Sequence, residues 1–133
     1  MSEKSLDEFA KENFTRDPEE ILKKQLERMT GWFDVTGGNI RFEDLNEDDL
    51  NKDQKYIAYL LAALVAEKAG TRNSKFVEHQ EANDRFGWSE GATAKQQASI
   101  HSDKIETKDG TKAVAQHSID KAVDEIEGAI EDE

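Results

Sequence analysis

The sequence predicts a mainly α-helical fold carrying two small β-hairpins. Apolar residues of the 133-residue chain gather in a few stretches at helical spacing rather than scattering. Two turn signals, Thr36-Gly37-Gly38 and Lys108-Asp109-Gly110, each lie between partly alternating residues. One eleven-residue run, Tyr56 to Ala66 (YIAYLLAALVA), is apolar nearly all round, which requires a helix covered on several sides.

The elements follow in order. Ser5 can cap a first short helix, with Leu6, Phe9 and Ala10 on one side. Asp17-Pro18-Glu19-Glu20 is a stronger start signal: an Asp cap, Pro at the first helical position, and acids against the positive helix end. Ile21, Leu22, Gln25, Leu26 and Met29 continue it to about Met29 or Thr30. Residues 33 to 42 then read as a hairpin whose aromatics belong to the core. After a polar connection, Asn51 or Asp53 caps a helix of about 54 to 69, closed by Gly70. This helix is central, or else part of a subunit interface. Ser74 can cap a helix of about 75 to 86, with Phe76, Val77, Ala82 and Phe86 inward. Gly87-Trp88-Ser89 turns the chain into a helix from Glu90 to about His101, with Ser89 as its cap. The second hairpin spans about 104 to 115. Ser118 caps the last helix, where Ile119, Ala122, Val123, Ile126, Ala129 and Ile130 form an apolar stripe. That stripe either packs on its own domain or serves a dimer.

Composition narrows the function. With 30 acidic and 18 basic residues the formal net charge is -12, which repels phosphate backbones in bulk. The charge is uneven: residues 1–51 carry a net -7, 52–103 are neutral, and 104–133 carry -5. The neutral block is the place least hostile to an anionic partner. Such acidity also suits a high-salt cell, although lysine outnumbers arginine thirteen to five and extreme halophiles are usually poor in lysine. There is no cysteine, so disulfides, thiolate chemistry and zinc-finger ligand sets are excluded. The N-terminus lacks the apolar core of a secretory signal, and no apolar run approaches the roughly 20 residues of a membrane span. The expectation is a cytoplasmic protein.

No catalytic pair, cofactor motif or metal-ligand spacing stands out. His79, His101 and His117 lie 22 and 16 residues apart, and each reads as a surface or half-buried polar group. The acidic stretch at Asp44 lacks the 12-residue calcium-loop spacing. Gly37-Gly38 is not followed by the lysine of a phosphate loop. The chain therefore reads as a binding protein rather than an enzyme.

The most specific segment is 73 to 116. Helix, Gly-containing turn, helix and hairpin, preceded by another helix, is the order of a winged helix-turn-helix. The run FVEHQEANDRFGWSEGATAKQQASI, above all Arg85-Phe86-Gly87-Trp88-Ser89-Glu90-Gly91, resembles the helix-turn-helix of winged-helix DNA-binding regulators. The whole layout also resembles small acidic archaeal proteins that carry such a domain. The resemblance implies residues 52–133 as the winged helix-turn-helix domain with a C-terminal helix, and 1–51 as a helical and hairpin extension. It also implies a transcriptional regulator on double-stranded DNA, working as a homodimer. By the same resemblance Thr93, Lys95, Gln96, Gln97 and Ser99 face bases, with Lys104, Lys108 and Lys112 near phosphates. Their side chains can donate to base edges or phosphates.

The pattern departs from the family at Asn83, where a small residue is usual, and at Thr93 and Gln97, where larger apolar residues are. Ala92, Ala94, Ala98 and Ile100 then supply a thin apolar face. The alternative is an adaptor that binds protein through the neutral central surface. A continuous positive stripe through Lys95, Lys104, Lys108 and Lys112 favours DNA, and an exposed apolar patch without it favours protein.

Overall fold

The computed structural model describes residues 5–14, 17–89 and 93–131. It is mainly helical with two small antiparallel hairpins. Helix α1 spans Leu6–Phe14 and opens with the Ser5 hydroxyl accepting the Glu8 N–H at 3.2 Å. Helix α2, Pro18–Arg28, starts as its signal predicts, with the Asp17 carboxylate accepting the Glu19 N–H at 3.0 Å. Strands β1 (Phe33–Asp34) and β2 (Arg41–Phe42) form the first hairpin, pairing Phe33 with Phe42.

Helix α3, Lys52–Lys68, is the centre of the molecule. Asn51 caps it reciprocally with Gln54: each side chain takes the other's backbone N–H at 3.0 Å. Leu60 and Leu61 are fully buried and Leu64 nearly so. Helix α5, helix α6 and strand β4 enclose this helix, which explains why it is apolar on every side.

Helix α4 is His79–Phe86, α5 is Ala94–Ile100, and strands β3 (Ile105–Lys108) and β4 (Thr111–Val114) make the second hairpin. Its turn places Asp109 and Gly110 at positive φ, 51° and 81°, the conformation that an Asp-Gly pair tolerates best. Helix α6, Ile119–Glu131, lays its stripe on α3 and α2. Ile119, Ala122, Val123 and Ile126 are all buried there, so the stripe is used within the chain. The same holds for α3.

Four local expectations are corrected. The segment before α4 does not begin a helix at Lys75. The Ser74 hydroxyl accepts the Phe76 N–H at 3.1 Å, and Val77 exchanges two backbone hydrogen bonds with Lys112, at 2.7 and 2.9 Å. A β-branched residue fits this extended, fully buried position. Second, α5 is capped at Thr93, whose N–H donates to the Gln96 side chain at 3.2 Å, and not at Ser89. The expected start at Glu90 lies outside the described residues, which omit 90–92. Third, Ser118 does not cap α6; its hydroxyl donates to the Asp103 carbonyl at 3.3 Å and the helix follows a 3-10 turn. Fourth, His101 is buried, at 3% exposure, where a surface or half-buried position was expected.

The first hairpin is tied to the rest by aromatic rings. Phe33, Phe42, Phe86 and Trp88 lie in series with centroids 5.4, 6.3 and 4.7 Å apart, and Tyr59 meets Phe86 at 5.8 Å. Arg85 pairs with Glu47 beside them. Among the described residues, no helix is long and apolar enough to cross a membrane.

Candidate nucleic-acid interface

Helix α5 has two sides because its buried and exposed residues fall on opposite arcs. Ala94, Gln97 and Ala98 are buried, while Lys95, Gln96, Ser99 and Ile100 are exposed. Residues four apart share a face, so Lys95 with Ser99 and Gln96 with Ile100 make one outward arc. The N-terminus of the helix is held by Asn83, whose side-chain oxygen accepts the Ala94 N–H at 2.7 Å. That bond accounts for an amide where a small residue was expected: it joins α4 to α5 across the turn.

Gln97 does not face outward. It is 6% exposed, and packing of α5 on α3 takes up its side of the helix. Thr93 is half-buried and belongs to the helix cap. Of the five residues expected to face bases, Lys95, Gln96 and Ser99 remain as an exposed set.

The cations fall into two groups. In a strand pair, residues two apart share a face and directly paired residues lie on the same one. Thr107 and Lys112 are paired, so they share one face of the second hairpin; Glu106 and Lys108 take the other. On the first face, the Lys112 ammonium donates to the Thr107 hydroxyl at 2.7 Å. Burial, and then the charges of Lys112 and Lys95, hold the His79 imidazole below its ordinary 6.5. His79 opens α4 and its Nδ1 is buried without a partner among the described residues. The charges of Lys95 from α5 and Lys112 from β4 thus both act on His79 of α4.

On the second face, the ammonium groups of Lys75 and Lys108 lie 5.6 and 5.8 Å from the centre of the Phe76 ring, within cation–π range. Lys75 is also paired with Glu106 at 2.8 Å. Lys104 lies apart, half-buried, with its ammonium 3.4 Å from Asp103. The continuous stripe that would favour DNA is therefore not formed: Lys112 and Lys108 lie on opposite faces of the hairpin, Lys95 is on α5, and Lys104 joins none of them.

Sequence reasoning missed His79 and Lys75. No local pattern marked His79, because the charges that act on its ring come from Lys95 on α5 and Lys112 on β4. Lys75 sits beside Phe76, but the helix expected there concealed the extended backbone that brings it to the hairpin.

Compared with protein-family models, with curated proteins and with solved structures, the chain gives no significant match in any of the three.

Proposed function

We propose that the chain binds double-stranded DNA through a winged helix-turn-helix, as a transcriptional regulator. In this reading α3, the extended Val77, α4, α5 and the β3–β4 hairpin are the parts of the motif in order. The outward arc of α5 enters the major groove, and the hairpin lies against the backbone. One observation carries the reading. The charges of Lys95 on α5 and Lys112 on β4 both act on the His79 ring, and α5 also exposes Gln96 and Ser99. Cations there would hold phosphates, while Gln96 and Ser99 would reach base edges.

A protein-binding adaptor is the second reading, favoured by Ile100. This side chain is 60% exposed on the same arc, where it could meet either a thymine methyl or an apolar partner. Titration of random and mixed-sequence duplexes across a salt series separates the two. DNA binding predicts measurable affinity that Lys95→Ala and Lys112→Ala weaken alike on every duplex, whereas Gln96→Ala changes sequence preference. Absence of binding to any duplex at any salt would transfer the assignment to the adaptor.

A further inference from the structure

Three side chains far apart in sequence meet where α3, α5 and α6 join. Asp53 is in the first turn of α3, His101 caps the C-terminus of α5, and Glu125 lies midway along α6. One ring nitrogen of His101 and one carboxylate oxygen from each acid all lie within 4.8 Å of one another. The imidazole Nε2 is 3.1 Å from the Asp53 main-chain oxygen and 3.2 Å from its Oδ2. Nδ1 is buried without a partner among the described residues. A plain His–Asp hydrogen bond accounts for Nε2. It does not account for a second carboxylate brought in by a third helix.

We propose that Asp53, His101 and Glu125 form a binding site for a divalent first-row cation of the zinc type. The donor set is one imidazole and two carboxylates, which balances a doubly positive ion. Imidazole favours zinc-type ions over magnesium and calcium, which take oxygen donors. Ligands about 2.0–2.2 Å from a shared ion stand roughly 3–3.5 Å from one another, and the His101–Asp53 separation of 3.2 Å already meets that spacing. Glu125 closes the remainder by a side-chain shift. Coordination replaces the Nε2–Asp53 hydrogen bond, with Nε2 as the ligand atom and the ring proton on Nδ1. Both acids are half-buried, so an ion can enter from solvent and water can complete its shell. Bound there, the ion would tie the end of α5 and the middle of α6 to the start of α3. The site does not depend on the DNA reading.

Calorimetric titration of the chelator-treated full chain with Zn2+, and with Mg2+ in parallel, tests the proposal. The expected result is one equivalent of Zn2+ bound, no comparable Mg2+ binding, and affinity reduced about 10-fold or more in Asp53→Asn and in Glu125→Gln. Co2+ in place of Zn2+ should give visible ligand-field absorption that the same variants lose. Because His101 is buried, these two variants at half-buried acids carry the test, with circular dichroism checking their fold. Failure to saturate at one equivalent, or equal affinity in the wild type and both variants, would overturn it by assigning the binding to scattered surface carboxylates.

Discussion

Two tyrosines three residues apart on α3 show how a single partner decides what a buried hydroxyl does. Tyr56 and Tyr59 are 1% and 5% exposed, and burial pushes both phenols well above their ordinary range. The Tyr59 hydroxyl donates to Glu81 at 2.7 Å, while that of Tyr56 is buried with no partner among the described residues. An unpaired buried hydroxyl is destabilising and a bond to a carboxylate is stabilising. Tyr56→Phe should therefore leave stability unchanged or raise it, whereas Tyr59→Phe should lower it by about 1–2 kcal/mol. Urea unfolding of the two variants checks both signs. Glu81 adds a pH dependence. Burial alone would raise its carboxyl, but the hydrogen bonds from Arg72 and Tyr59 outweigh burial and hold it below 4.5. The folded state therefore binds the proton less readily than the unfolded state. Its contribution is complete above about pH 4.5 and is lost as pH falls through the lower folded value. The stability difference between wild type and Glu81→Gln should accordingly shrink below that pH. None of this was legible in the sequence, since Glu81 stands 22 residues from Tyr59 and no periodicity links them.

Elements with their own local signals were the legible part of the fold. Helices α2 and α3 carry caps that need no tertiary partner, and the Asp109-Gly110 turn requires little beyond its two residues. The extended Val77 shows what was hidden. Its segment has apolar residues at spacings that suit a helix, and only Lys112, 35 positions later, supplies the backbone partner that holds it extended. Long-range pairing overrode local pattern there. The outward arc of α5 was partly legible: Lys95, Gln96 and Ser99 are exposed as expected, but Gln97 is buried because α3 covers its side. The all-round apolar character of α3 forecast enclosure on several sides, and Leu61 is fully buried among them. Leu61→Ala leaves a cavity that rigid neighbours on three elements cannot collapse into. The expected loss is about 2–5 kcal/mol, read as a lower denaturant midpoint with an unchanged slope.

At the scale of the whole molecule, a net charge of -12 opposes any approach to DNA, while the proposed contact face carries Lys95 and Lys112. The two effects differ in range. Repulsion from the distant carboxylates acts over many ångströms and is screened beyond about 10 Å at 0.1 M salt. Contacts from Lys95 and Lys112 are short-range and lose affinity with salt by about one unit of log–log slope per phosphate, so by about 2 in all. Affinity should thus be shallow in salt, or even pass through a maximum, where a basic regulator simply dissociates. His79 adds a proton to this balance. Burial and then the charges of Lys112 and Lys95 hold its pKa below 6.5 in the free protein. A phosphate seated beside those lysines would offset their charge and raise it. Binding would then take up a proton, and by linkage affinity must rise as pH falls from 8 toward 5.5. His79→Gln should remove that rise while leaving affinity at pH 8 nearly unchanged, because the wild-type ring is neutral there. Fluorescence anisotropy of one labelled duplex, repeated at constant ionic strength across this pH range, measures both. An identical pH profile in wild type and variant would show that no phosphate sits between Lys95 and Lys112.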